Sequence, residues 1–200
     1  ITVNAGGTYS LVVTNTLSMC SSSITAFVPT NTNTPVPTAV NATTLNCFNS
    51  TAALTGAPTS GVTYQWSGPG FSGGTTSQNA TATAPGTYTL VVINPINTCS
   101  AQATVVVTQN TVAPSVTSAA SATLTCLNSN VNASATTTTS PASYNWSGTG
   151  IISATNISTI TVNQPGTFNY TVTNTTNGCS TTGSQVVTQN ISTPSVASAV

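Results

Sequence analysis

One unit of about 80 residues recurs along the chain and sets the size and number of its domains. The segment Gly-Thr-Tyr-Ser-Leu-Val-Val at Gly7 returns as Gly-Thr-Tyr-Thr-Leu-Val-Val at Gly86 and as Gly-Thr-Phe-Asn-Tyr-Thr-Val at Gly166. Cysteine, proline and tryptophan positions repeat with the same spacing. Because a unit of this length can bury a core of its own, the repeat predicts an array of small domains rather than a solenoid.

The spacing predicts two complete domains, residues 34–112 and 113–192, each flanked by a partial one. Residues 1–33 correspond to the C-terminal part of a repeat, and residues 193–200 to the first strand of a further repeat. The two partial repeats would not complete each other, since together they lack the equivalents of residues 121–159. We therefore expect that the sequence is part of a longer chain, or that the missing strands are supplied from elsewhere.

Short runs rich in Thr and Val, separated by Gly, Pro, Asn and Ser, predict an all-β fold, because no segment has the apolar spacing of an amphipathic helix. Seven short strands in a repeat of this size indicate a β-sandwich, here in tandem copies. In the second complete repeat the predicted strands are residues 115–119, 122–126, 131–137, 142–147, 157–162, 167–174 and 180–188.

Apolar residues alternate within the predicted strands, which gives each strand one buried face. Tyr88, Leu90 and Val92 show this alternation after Gly86. The residues predicted for the cores are Trp66, Trp146, Tyr88 and Phe168. The alternative for the two tryptophans is a platform on which a sugar could stack.

The 200 residues include no Asp, Glu, Lys, Arg or His. General acid–base catalysis relies mainly on those side chains, and the remaining Cys and Tyr have no neighbouring base, so we do not expect an enzyme. Lys and Arg neutralise phosphates, and His and carboxylates hold most metals, so the composition also argues against nucleic acid, metals and cofactors. No apolar run reaches the roughly 18 residues expected of a membrane helix.

In the absence of charged side chains, the surface must be hydrated through the hydroxyl and amide groups of Thr, Ser, Asn and Gln. Because a net charge of zero promotes association between proteins, the expected partners are copies of the chain in a polymer or further repeats of the same chain. Glycans are further candidate partners, although the abundance of Asn, Ser and Thr produces many sequons by chance. The Asn-X-Ser/Thr sequons lie at Asn41, Asn49, Asn79, Asn132, Asn145, Asn156, Asn169, Asn174 and Asn190.

Several segments resemble tandem immunoglobulin-like or PKD-like repeats of large secreted surface proteins and adhesins of Bacteroidota. Gly-Thr-Tyr-Thr-Leu-Val-Val at Gly86, Asn-Thr-Cys at Asn97 and Thr-Val-Val-Val at Thr104 resemble the last hairpin of those repeats, and Ala122-Thr-Leu-Thr-Cys and Tyr144-Asn-Trp-Ser resemble their early strands. The resemblance implies that the sandwiches are tandem immunoglobulin-like domains. It also implies an extracellular stalk or fibre, at the cell surface or in a secreted filament. The alternative is an adhesin module that binds glycans or other cells. The Asp-containing turns common in that group are absent, so no calcium site is implied.

Five cysteines are disulfide candidates in a chain expected to be extracellular: Cys20, Cys47, Cys99, Cys126 and Cys179. Pairing within repeats would join Cys47 to Cys99 and Cys126 to Cys179. In a seven-strand sandwich, however, those partners lie at opposite ends of strands ~17–20 Å long, whereas a disulfide needs Cα atoms within about 7 Å. Pairing between consecutive repeats, Cys47 with Cys179, is therefore preferred, and pairing within repeats remains the alternative.

Overall fold

A computed structural model of the chain describes residues 1–196, and these residues form strands and no helix. The all-β class is confirmed, and it follows from the many β-branched Thr and Val residues, which suit the pleat of a sheet. Of the predicted further repeat, residues 193–196 form no strand and residues 197–200 lie outside the described residues. Within the described part, no helix is long and apolar enough to cross a membrane.

The first elements form a two-stranded antiparallel hairpin of β1 (Gly7–Thr14) and β2 (Ser21–Val28). Seven strands follow in the first complete repeat: β3 (Thr38–Asn41), β4 (Ala52–Ala57), β5 (Thr63–Ser67), β6 (Phe71–Gly73), β7 (Asn79–Ala82), β8 (Gly86–Ile93) and β9 (Ser100–Val107). They form two sheets, in the orders β3-β4-β7-β6 and β5-β8-β9. These are the orders of the two sheets of the seven-strand immunoglobulin fold, so this repeat is an immunoglobulin-like sandwich.

The second complete repeat has the strands β10 (Val116–Ala120), β11 (Leu124–Thr125), β12 (Val131–Thr137), β13 (Ala142–Ser147), β14 (Thr159–Val162), β15 (Gly166–Asn174), β16 (Ser180–Val187) and β17 (Gln189–Asn190). Its sheets have the orders β10-β12-β14 and β13-β15-β16, while β11 pairs in parallel with β17. The predicted strand at 157–162 begins two residues later, and the carbonyl of Ile157 instead accepts the indole N–H of Trp146. The predicted strand at 122–126 is reduced to the two residues of β11.

The four residues predicted for the cores are buried in the two sandwiches. Trp66 and Trp146 are 4% and 2% exposed, and Tyr88 and Phe168 are fully buried. The indole N–H of Trp66 donates to the carbonyl of Ser77 at 3.1 Å, so the polar atom of this buried side chain has a partner. The alternation of apolar residues along β8 and β15 thus corresponds to the faces that form the cores.

The chain divides into two compact units that do not coincide with the sequence repeats. Unit 1 contains residues 1–41, 53–81 and 87–106, and unit 2 contains 42–52, 82–86 and the chain from Val107 onward. The predicted boundaries before residues 34 and 113 fall in strand-free segments, between β2 and β3 and between β9 and β10. Residues 42–52 follow β3 in the first complete repeat, yet they belong to the unit that holds the second repeat.

Candidate functional site: a disulfide joint in unit 2

A disulfide joins Cys47 to Cys179, with 5.1 Å between their Cα atoms and 132 residues of separation along the chain. Cys47 belongs to the first complete sequence repeat and Cys179 lies between β15 and β16 of the second, so the bond links consecutive repeats. The pairs Cys47–Cys99 and Cys126–Cys179 are not formed. Cys20, Cys99 and Cys126 are free thiols.

Asn177 is the buried polar side chain beside this bond, with 1% of its surface exposed. Its Nδ2 donates to Asn110 Oδ1 at 3.0 Å and to the carbonyl of Val112 at 2.9 Å. Its Oδ1 accepts the N–H of Cys179 at 3.0 Å, and its own carbonyl accepts the N–H of Cys47 at 2.9 Å. One asparagine therefore connects both cysteines to the segment between β9 and β10, and its buried amide is fully bonded.

The turn that carries Cys179 is fixed by local hydrogen bonds. Asn174 N–H donates to the carbonyl of Cys179 at 2.9 Å, and Gly178 N–H donates to the carbonyl of Asn174 at 2.8 Å. Asn174 Oδ1 also accepts the N–H of Thr176 at 2.9 Å, as in an Asx turn. Gly178 has a φ of +74°, in the left-handed region that glycine adopts without steric cost.

The segment that carries Cys47 is held by backbone bonds to residues 108–110. Leu45 is buried, its N–H donates to the carbonyl of Thr108 at 3.0 Å, and its carbonyl accepts the N–H of Asn110 at 2.8 Å. The ring of Phe48 covers Gly178 so closely that a Cβ at Gly178 would lie 2.7 Å from it. We call residues 45–48, 108–112 and 174–179 the joint.

The groups that make up the joint differ little in chemistry. Its groups are a disulfide, amides and apolar side chains, and no Asp, Glu, Lys, Arg or His is present anywhere in the sequence. Among the described residues, no group of three or more Cys, His, Asp or Glu side chains is placed to hold a metal ion.

The nine predicted glycosylation residues differ in their exposure to solvent. Asn41 and Asn174 are half-buried. The other seven are exposed: Asn49, Asn79, Asn132, Asn145, Asn156, Asn169 and Asn190. Their glycosylation stays a prediction.

Sequence reasoning identified the cysteines but missed Asn177, Gly178 and Phe48. A signal for the asparagine was present, because an Asn stands two residues before the hairpin cysteine in both complete repeats, at Asn97 and Asn177. Nothing in the sequence indicated the contact of Phe48 with Gly178, since these residues belong to different repeats.

We expect Gly178→Ala to destabilise unit 2 by about 1–3 kcal/mol more than Gly61→Ala destabilises unit 1, measured by urea denaturation. Both glycines have a φ of +74°, but a Cβ at Gly61 would meet nothing within 4 Å. Gly61→Ala is therefore the matched control for the backbone cost of roughly 1–2 kcal/mol. In a Phe48→Ala background the two glycine variants should cost the same; an excess that persists there would show that Phe48 is not responsible.

No protein-family model matches the chain, and no curated protein matches it in sequence. The chain is similar to the solved structure of the three N-terminal domains of the bacteriophage RB49 outer capsid protein Hoc, with 15% identity and a TM-score of 0.44, over 77% of this chain and 59% of that chain. It is also similar to murine CEACAM1b, with 12% identity and a TM-score of 0.38, over 78% of this chain and 98% of that chain. A third similar structure is that of the extracellular domains 3–5 of Drosophila OTK, with 13% identity and a TM-score of 0.36, over 94% of this chain and 72% of that chain. This chain thus spans less than two thirds of the Hoc structure. The immunoglobulin-like fold itself is assigned from the strand order of the two sheets.

Proposed function

We propose that this chain is a structural segment of an extracellular stalk or fibre built of tandem immunoglobulin-like domains and stiffened by disulfides between consecutive repeats. The observation that carries this proposal is the Cys47–Cys179 bond with its buried partner Asn177. Domains connected only by a peptide and a small interface move relative to one another. A covalent bond beside a fully bonded buried amide restricts that motion, which is useful in a stalk under load.

The disulfide also supports an extracellular location, because such bonds persist in oxidising compartments and are rare in the cytosol. The large surface proteins and adhesins of Bacteroidota that the sequence resembles are built from repeats of this kind. In this proposal the chain lies at the cell surface or in a secreted filament, with copies of itself or further repeats as its partners.

The adhesin alternative gains nothing from the two tryptophans. Trp66 and Trp146 lie inside their sandwiches, and each donates its indole N–H to a backbone carbonyl. Neither offers a ring face on which a sugar could stack. We therefore favour the stalk over a glycan-binding module.

Stretching single molecules from their two ends tests this function. While the Cys47–Cys179 bond is intact, the 132-residue span that it closes cannot extend. Reduction should therefore lengthen the fully unfolded chain by about 450 Å, given roughly 3.4 Å per residue. We also expect the oxidised chain to keep unit 2 folded at forces that extend the reduced chain.

Cys126→Ser is the control for the pulling experiment, because Cys126 is exposed and unbonded and stands at the position equivalent to Cys47. It should leave both the length and the unfolding force unchanged. Equal unfolding forces for the oxidised and reduced chains would contradict a load-bearing role.

A further inference from the structure

The hairpin of β1 and β2 exposes the face that is buried in the complete repeats. Tyr9, Leu11 and Val13 are 36%, 55% and 61% exposed. Their equivalents in β8 are 0% exposed, and they are Tyr88, Leu90 and Val92. The same residue types at the same repeat positions are thus buried where a sandwich is complete and uncovered where the hairpin stands alone.

A groove of about 560 Å³ follows this face, and its apolar lining includes Tyr9, Leu11, Ile24 and Val28. Ile1 and Val3 also line it. The segment Ile1-Thr-Val has the sequence of Ile160-Thr-Val in β14, where Ile160 and Val162 are fully buried. Ile1 and Val3, the equivalents of Ile160 and Val162, therefore line the groove, but residues 1–3 form no strand here and both side chains are exposed.

The turn between β8 and β9 reproduces half of the joint. Asn97 Nδ2 donates to Asn31 Oδ1 and to the carbonyl of Asn33, both at 3.0 Å, and Asn97 Oδ1 accepts the N–H of Cys99 at 3.0 Å. These are the bonds that Asn177 makes to Asn110, Val112 and Cys179, one repeat later. Cys99 therefore occupies the position in its repeat that Cys179 occupies in the next, but it is a half-buried free thiol.

We infer that the groove receives the early strands of a further repeat of the same polypeptide, and that the turn cysteine of that repeat forms a disulfide with Cys99. This inference rests on the proposed stalk. The early strands of a further repeat would account for three features: the exposed apolar face of the hairpin, the repeat position of Ile1-Thr-Val and the unbonded Cys99. In the complete joint, the Leu45 turn contacts residues 108–110 and its cysteine reaches the hairpin cysteine, so a Leu-Xaa-Cys turn beside residues 29–31 would lie next to Cys99.

The bond forms by thiol–disulfide exchange. The two thiols lose two protons and two electrons as the sulfur–sulfur bond forms. A low-molecular-weight disulfide such as oxidised glutathione accepts the two electrons and the two protons and is reduced to two thiols.

Joining a copy of residues 113–159 directly to Ile1 of the full chain tests the inference, because Ile1 then follows the copy as Ile160 follows Thr159. This copy is preferred over one of residues 34–79 because its cysteine is followed by Leu127 rather than Phe48. In the real joint Phe48 packs on Gly178, whereas the turn before Cys99 has Thr98 at that position.

After oxidation by glutathione disulfide, peptide mapping should find the cysteine of the added copy bonded to Cys99. Amide hydrogens of β1 should exchange at least about 100-fold more slowly than in the chain without the copy. A copy whose cysteine is replaced by Ser is the matched control: it should protect β1 to a similar extent and leave Cys99 as a thiol. Exchange in β15 reports whether the second repeat has folded in every variant.

The inference is overturned if Cys99 stays a thiol in the extended chain, if Cys99 pairs with Cys20 or Cys126, or if β1 gains no protection. It is also overturned if the chain without the copy forms a dimer that protects β1, because a second copy would then be the occupant. The pulling experiment depends on Cys47 and Cys179 and not on Cys99. Failure of the inference and failure of the proposed function are therefore distinguishable.

Discussion

Replacing the buried Asn177 with Asp is expected to destabilise unit 2 by about 3–5 kcal/mol at neutral pH, the cost of an uncompensated buried charge. Asn177 is 1% exposed, and its Nδ2 donates to Asn110 Oδ1 and to the carbonyl of Val112. In N177D a carboxylate oxygen would face these two acceptors with no proton between them. Urea denaturation at pH 7 measures the loss.

The same variant should have a stability that depends on pH. Burial and the two facing oxygens raise the pKa of the carboxyl group in N177D above its value in the unfolded chain. The variant is therefore most stable below about pH 3.9, loses stability as the pH rises, and levels off once the pH passes the folded-state pKa. The wild-type chain has no Asp, Glu, Lys, Arg or His, so its stability should be flat from acid to about pH 8.

Asn97→Asp is the matched control for N177D. Asn97 makes the corresponding hydrogen bonds to Asn31, Asn33 and Cys99, but it is half-buried rather than buried. Its carboxylate keeps contact with water, so we expect a smaller loss and a weaker pH dependence. Equal losses for N177D and N97D, or a flat pH profile for N177D, would show that burial of Asn177 is not what makes the joint sensitive to charge.

Removing the disulfide with Cys47→Ser should cost about 2–4 kcal/mol of stability in unit 2. The bond closes a loop of 132 residues, and long loops lie toward the upper end of that range in the chain-entropy account. Cys47 is the better position to change because it is exposed, whereas Cys179 is 2% exposed and a new hydroxyl there would be buried. Thermal and urea denaturation under non-reducing conditions measure the effect.

Two controls accompany Cys47→Ser. Reducing agent added to the wild-type chain should produce a similar loss, and Cys126→Ser should produce none, because Cys126 is exposed and unbonded. A wild-type chain that is indifferent to reduction would show that the bond adds nothing to the non-covalent contacts of Asn177 and Phe48.

Much of the fold could be predicted because its signals are local. Alternation along Tyr88, Leu90 and Val92 marks a strand with one buried face whatever that strand packs against, and the recurrence of Gly7, Gly86 and Gly166 gives the repeat. Strand limits were predicted least well where a tertiary contact decides them. Ile157 lies outside β14 in the structure, and its carbonyl accepts the indole N–H of Trp146, which belongs to another strand.

The sequence by itself determined the all-β class, the period of the repeat and the absence of Asp, Glu, Lys, Arg and His side chains, because these follow from composition and from spacing along the chain. Only the tertiary structure decided that residues 42–52 belong to the unit of the second repeat, that Asn177 is buried, and that Phe48 covers Gly178. Those contacts join residues from 65 to 130 positions apart, as between Asn177 and Val112 and between Phe48 and Gly178, and they depend on which ends of which strands lie close in space. The spacing of residues along the chain does not predict which strand ends lie close together.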